Sequence, residues 1–219
     1  LRRELKTLKL VNYITTVLPY EFEIIKKEFG LIAKYIDYNY GVNKFETVNV
    51  SGLGDSILLG NSATSTNNHL DVFHIIKDIN NKLIVPLSYG AYDYKKYRRK
   101  VILEGKRLFN DYFTPIKNFI PIEEYNQLVF SCNSVIMFHI RQQALANIFM
   151  VLFHGMRLFL NSKSLTYSFL LDQGFIVFDL RKDYHLLGSE LSDENKMINK
   201  QIVLKLRSRK LIQKKTQGI

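Results

Sequence analysis

Ten consecutive small or hydrogen-bonding residues, Gly60-Asn61-Ser62-Ala63-Thr64-Ser65-Thr66-Asn67-Asn68-His69, follow the short apolar run Ser56–Leu59. A strand that leads into such a run reads as a strand-to-helix turn. Helix N-termini leave N–H groups unpaired and carry partial positive charge, so the turn suits a phosphate. The hydroxyls of Ser62 and Thr64 add donors. The spacing is neither that of a Walker loop nor GxGxxG. An ordinary N-cap region has the same composition.

Three further turns carry chemistry. Pro86-Leu87-Ser88-Tyr89-Gly90 places a glycine, where backbone can approach closely, beside a tyrosine that can stack on a base or sugar. His139-Ile140-Arg141-Gln142-Gln143-Ala144 follows the apolar run Val135–Phe138. Arginine just after a buried strand points to an anion, which its fork can grip. Gln142 and Gln143 can bond sugar hydroxyls or a base. His139 is a candidate general base, or a hydrogen-bonded, half-buried histidine. Asn161-Ser162-Lys163-Ser164 is a fourth polar turn, with Lys163 able to neutralise phosphate. No GxSxG, HExxH or DxD-like carboxylate pair accompanies them. No metal and no cofactor is therefore expected, and phosphate charge falls to Arg, Lys and helix dipoles.

Those turns need a frame, and the chain alternates β-branched or apolar runs with helical periodicity. Expected strands are Tyr13–Leu18, Tyr35–Tyr38, Ser56–Leu59, Lys82–Leu87, Ile116–Ile120, Val135–Phe138, Leu158–Leu160 and Phe175–Phe178. Expected helices are Glu21–Phe29, Asn67–Ile79, Tyr92–Phe109 (interrupted near Gly105), one begun by Pro121, Gln142–His154 capped by Gly155, and Leu165–Asp172. Alternation of this kind predicts right-handed crossovers and a mostly parallel α/β sheet. Ligands on such sheets sit at the carboxyl ends of the strands, where all four turns lie.

The 219 residues carry 31 Lys+Arg against 20 Asp+Glu, a net charge of +11, with 47% hydrophobic residues. Disordered, collagenous and coiled-coil chains are excluded. The positive charge is concentrated at residues 1–9, at 92–107 and from Lys196 to the end. Such stretches favour a membrane surface or another polyanion. The single cysteine, Cys132, excludes an internal disulfide and fits a reducing compartment. No apolar run approaches the ~20 residues of a membrane span. The chain opens in mid-pattern and without Met, so we expect it to be part of something longer.

GNSATSTNNH at 60–69, PLSYG at 86–90, and RQQA at 141–144 followed by Asn147, Gly155 and Asn161 together resemble glycosyltransferase family 56. The resemblance covers roughly residues 10–180. It implies a GT-B fold: a Rossmann-like parallel sheet with helices on both faces, here the C-terminal half of the enzyme. By that reading residues 1–50 are a remnant of the acceptor-side domain and linker, 51–190 the nucleotide-sugar-binding domain, and 191–219 a basic helical tail. The family's reaction moves N-acetylfucosamine from a dTDP-sugar donor to a lipid-linked saccharide on undecaprenyl diphosphate, in enterobacterial common antigen synthesis. Implied donor-binding residues are Gly60, Asn61, Ser62, Thr64, Ser88, Tyr89, Gly90, Arg141, Gln142, Gln143 and Asn161. Ala146 departs from the glycine of many relatives. The implied location is peripheral, on the cytoplasmic face of the bacterial inner membrane, with an anionic membrane surface as partner and no nucleic acid expected. The alternative is a non-catalytic nucleotide- or nucleic-acid-binding module, supported by the basic stretch LKLRSRKLIQKK at 204–215.

Overall fold

The structure is a computed structural model that describes residues 7–38, 52–92 and 94–217. Residues 1–6 and 39–51, which hold most of the first basic stretch and the expected linker, lie outside the described residues. An N-terminal unit comes first. It comprises β1 (Tyr13–Ile14), α1 (Pro19–Phe29) and β2 (Lys34–Tyr35), with the two strands pairing in parallel. Pro19 opens α1, where its missing N–H removes nothing the helix needs.

The main sheet has six strands: β3 (Ser56–Leu59), β4 (Leu83–Pro86), β5 (Phe113–Ile116), β6 (Cys132–Met137), β7 (Arg157–Leu160) and β8 (Phe178–Asp179). All pairings are parallel, in the spatial order β5-β4-β3-β6-β7-β8. This is the doubly wound order, in which the chain starts at the centre, works outward, then returns to the other side of its first strand. Crossover helices are α2 (His69–Ile75), α3 (Tyr94–Phe109), α4 (Ile122–Phe130), α5 (Leu145–Phe153) and α6 (Leu165–Asp172). Beyond β8 come α7 (Leu180–Asp183), α8 (Asp193–Arg207) and α9 (Arg209–Gln217). No helix among the described residues is long and apolar enough to cross a membrane.

Two cores result, because alternate residues of each strand face opposite sides. Leu58, Ile84, Val135, Met137, Leu158 and Leu160 pack with α5, α6 and α8. Ile57, Leu59, Leu83, Val85, Ile136 and Phe159 pack with α2 and α3. Strands buried on both faces read as continuous apolar runs, which is how this sheet appears in the sequence.

Several boundaries differ from the sequence expectation. The first strand stops at Ile14, and the second occupies Lys34–Tyr35. The fifth strand lies earlier, at Phe113–Ile116, where Phe113 pairs with Leu83 and continues the sheet. The last is Phe178–Asp179. Helix α2 starts at His69, not Asn67, because Asn68 is left-handed at φ 54°. Helix α3 is unbroken at Gly105. The glycine is there because an added Cβ would stand 2.4 Å from the Phe113 ring. Helix α5 starts at Leu145, not Gln142, because Ala144 is left-handed at φ 57°. Arg141, Gln142 and Gln143 are therefore loop residues.

The basic tail is packed rather than loose. Val203 on α8 and Ile212 on α9 are buried. Lys196 pairs with Glu190 at 2.8 Å, and Lys215 pairs with Asp37 at 2.7 Å. Lys200 lies over the Phe153 ring and Arg207 over Phe149. On β7, Arg157 is itself buried. Its guanidinium donates to the carbonyls of Leu186 and Glu190 and to the Ser189 hydroxyl, at 2.8–3.1 Å.

Candidate functional site

Strands β3 and β6 are neighbours whose chains depart to opposite sides, so a crevice opens outside their carboxyl ends. Residues 60–69 form one lip and residues 138–144 the other. The Gly60 N–H donates to the Ile136 carbonyl at 2.9 Å, anchoring the first lip to the second strand.

The first lip is organised by a side chain that the sequence did not single out. Asn67, fully buried, donates through Nδ2 to the Ser62 carbonyl (3.0 Å), the Ser62 hydroxyl (3.2 Å) and the Thr64 carbonyl (3.2 Å). Its Oδ1 accepts the Asn61 N–H at 3.3 Å. The Ser62 hydroxyl donates to Thr64 Oγ1 at 3.0 Å. One carboxamide therefore fixes the path of residues 61–64. Gly60 has φ +69°, and a Cβ there would stand 2.8 Å from His69 Nε2 and 3.0 Å from Asn67 Oδ1.

Beneath the lip, the His69 N–H donates to the Tyr97 hydroxyl at 3.1 Å. The hydroxyl, which carries its own proton, lies 3.2 Å from His69 Nδ1. Burial pushes the Tyr97 phenol up to about 12, so it keeps that proton. Burial also pushes His69 down to about 3, and the ring is neutral at pH 7.

Gln143 closes the crevice across its floor. Its Nε2 donates to Asn61 Oδ1 at 3.0 Å, and its Oε1 accepts from the Thr66 hydroxyl at 2.7 Å. Asn68 Nδ2 donates to the Phe138 carbonyl at 2.9 Å. The left-handed Ala144 turns the chain so that Gln143 faces back to the first lip.

The turn after β4 joins the same structure. The Ala63 N–H donates to the Tyr89 carbonyl at 2.7 Å, and the Ala91 N–H to Thr64 Oγ1 at 3.2 Å. A Cβ on Gly90 would meet the Ala63 backbone at 2.9 Å, which explains the glycine. Beside this joint a cavity of about 240 Å³ opens, lined by Thr64, Ser65, Tyr92, Lys96, Tyr97 and Lys100.

Gly60, Asn61, Ser62, Thr64 and Gln143 are thus brought into one bonded network, with Ser88, Tyr89 and Gly90 attached to its flank. Arg141 is exposed and Gln142 half-buried on the second lip. Asn161, at the end of β7, is buried; its Oδ1 accepts the Lys163 N–H at 3.0 Å, in its own turn. Lys163 is exposed. His139 is fully buried rather than half-buried, with the backbone of Arg141 beside its ring. Burial pushes it down to about 4. One cation escaped the sequence reading. Arg181, on α7 at the carboxyl end of β8, lies 5.0 Å over the Phe138 ring, beside the second lip. Its signal was present, since Asp179 caps the helix and accepts the Arg181 N–H. Among the described residues no group of three His, Cys, Asp or Glu side chains is placed to hold a metal ion.

Comparison with known proteins bears on this geometry. The family model described as 4-alpha-L-fucosyltransferase glycosyl transferase group 56 matches residues 41–183. None of the curated proteins compared matches the chain. Among solved structures, a glycosyltransferase from Rickettsia africae superimposes with a TM-score of 0.75 at 12% identity, over 100% of this chain and 66% of that one. An alpha,alpha-trehalose-phosphate synthase (UDP-forming) from Burkholderia xenovorans gives 0.73 at 11% identity, over 99% of this chain and 61% of that one. Sucrose-phosphate synthase from Thermosynechococcus elongatus gives 0.67 at 12% identity, over 98% and 58%. These neighbours are GT-B glycosyltransferases, and at such identities the likeness is one of fold. The chain spans about two thirds or less of their length.

Proposed function

The chain belongs to glycosyl transferase group 56, the 4-alpha-L-fucosyltransferase family, and from that membership we propose that it binds the nucleotide-sugar donor of a sugar transfer. The observation that carries the reading is the crevice at the switch point, with Gln143 tying its two lips. The donor diphosphate lies along residues 60–64, facing their N–H groups and hydroxyls. Arg141 and Arg181 approach it from the second lip. Tyr89 stacks on the base or sugar, and Gln142 and Asn161 bond the donor.

In the transfer an acceptor hydroxyl attacks the anomeric carbon and gives up its proton to the departing diphosphate or to water. The bond from that carbon to the diphosphate breaks, and the nucleoside diphosphate leaves with the electron pair. Cations and N–H groups aimed at the departing oxygen stabilise the transition state more than the ground state. The Burkholderia neighbour is UDP-forming, which supports a nucleoside diphosphate leaving group. The donor is a dTDP-sugar carrying N-acetylfucosamine or a related deoxy-amino sugar. The acceptor is a saccharide on undecaprenyl diphosphate, met at the inner membrane's cytoplasmic face in enterobacterial common antigen-like synthesis. Residues 1–50 belong to the acceptor-side domain and linker, 51–190 to the donor domain, and 191–219 to a tail that braces it.

Titration calorimetry with dTDP tests the site. Arg141→Ala is expected to weaken binding by about 1.5–3 kcal/mol, the scale of a hydrogen bond to a charged group. Gln143→Ala is expected to weaken it through the unpaired Asn61 and Thr66 side chains. Unchanged affinity in both folded variants would move the donor elsewhere. Turnover by the intact enzyme is expected to survive EDTA. Loss in EDTA with recovery on adding magnesium or manganese would overturn metal independence.

A further inference from the structure

Helix α3 buries Val101, Gly105 and Phe109 against the sheet. On its opposite side Lys95, Arg99, Leu103 and Lys106 recur at helical spacing, all exposed. Leu103 is 63% exposed in the middle of this cationic stripe. Arg98 Nη1 donates to the Lys117 carbonyl at 3.2 Å, which draws the loop after β5 alongside the first turns of α3. That loop presents Phe119, 87% exposed, and leads to Ile122, 61% exposed. Tyr92, just before α3, is also exposed.

We propose that this edge, the outer face of α3 together with the 117–122 loop, is where the protein docks on an anionic lipid bilayer. An isolated exposed leucine or phenylalanine needs no explanation; apolar side chains set among cations on one edge do. Cations meet lipid phosphates while Leu103, Phe119 and Ile122 enter the acyl boundary, as in interfacial amphipathic helices. Four acidic residues belong to these segments; Asp93 directly precedes α3 in the sequence. Glu104 is held by Arg107 at 2.6 Å, and Glu123 and Glu124 occupy the first turn of α4, where the helix dipole offsets them. The edge remains positive. A polynucleotide would use the cations and stack a base on Phe119 but gain nothing from Leu103 and Ile122, so lipid fits better. The tail is the weaker candidate, since Lys196, Lys200, Arg207 and Lys215 are engaged in packing. The first turn of α3 and the 117–122 loop lie at the carboxyl side of the sheet, as does the crevice, and the rest of α3 runs back toward the amino side. Docking along this edge therefore leaves the crevice mouth beside the lipid surface. The proposal shares with the reading above only the location of the acceptor.

The test is co-sedimentation of the full chain with vesicles of equal parts phosphatidylglycerol and phosphatidylcholine, and of phosphatidylcholine alone. The chain is expected to bind the first at low salt and not the second. Lys95→Gln/Arg99→Gln/Lys106→Gln should lower affinity about a hundredfold, at roughly fivefold per cation. Phe119→Ser should lower it about tenfold or more. Lys210→Gln/Lys214→Gln should leave it unchanged, and dTDP binding should be unchanged in all three. The proposal is overturned if the α3 and loop variants pellet like the parent, or if only the tail variant loses binding. It is equally overturned if the parent ignores both vesicles, with or without steeply salt-dependent binding to RNA or DNA. Failure of dTDP to bind while the vesicle pattern holds would remove the donor reading alone.

Discussion

Alanine at Gly60 is expected to destabilise the protein by about 2–5 kcal/mol and to abolish nucleotide binding. Two costs add. A φ of +69° costs a side-chain-bearing residue roughly 1–2 kcal/mol. The new methyl group would also press on His69 Nε2 and Asn67 Oδ1, and overpacking of a tight interior typically costs about 1–3 kcal/mol. Neither neighbour can yield. His69 is buried against Tyr97, and Asn67 holds the 61–64 path through four hydrogen bonds. Gly174→Ala separates the two costs, because φ there is +85° but the nearest atom to its Cβ, Ile202 Cδ1, is 3.7 Å away. It should lose only the strain and keep dTDP affinity. Urea denaturation and calorimetry on both variants check this; equal losses at the two glycines would refute the crowding argument.

Acidification is expected to be nearly as damaging. His69 and His139 have folded values of about 3 and about 4, both lowered by burial, against about 6.5 in the unfolded chain. Between those limits the unfolded state binds more protons, so stability rises with pH across the window. The contribution is fully present above about pH 6.5 and is lost as pH falls toward the folded values. At about pH 5 each histidine accounts for roughly 2 kcal/mol, or about 4 kcal/mol for the pair. Urea midpoints at about pH 7.5 and about pH 5 measure the loss, and His139→Asn should halve its pH dependence. A parent protein equally stable at both pH values would mean that these rings are charged or solvated when folded.

Much of the sheet was legible in the sequence because its strands are buried on both faces and so read as apolar runs. Ser56–Leu59 matches residue for residue, and so does the helix Leu165–Asp172, begun by Ser164 as its N-cap. Boundaries set by single left-handed residues were not legible. Asparagine visits the left-handed region more readily than most residues, but nothing local announces that Ala144 leaves the helical region, since its conformation answers to contacts across the crevice. Phe113–Ile116 was misplaced for a similar reason. Pro115 and the polar Asn110-Asp111 discouraged a strand, which an edge position tolerates. For the site, the type and order of the turns located the lips. The organising role of Asn67 and the approach of Arg181 come from tertiary placement.

The buried guanidinium of Arg157 bears on the order in which the chain is made. Its three acceptors come from residues 186–190, about thirty positions later in synthesis. Until those residues exist, docking β7 beside β6 would bury an uncompensated charge, a defect that costs roughly 3–5 kcal/mol. At about 5–20 residues per second the nascent chain waits on the order of 2–6 s for them. The sheet from β5 through β3 to β6, with both lips of the crevice, is thus free to consolidate during translation. Strands β7 and β8 and the Asn161 turn settle only once the segment after β8 has emerged. A ribosome stalled before Ser189 would carry the two lips without the Asn161 turn settled beside them.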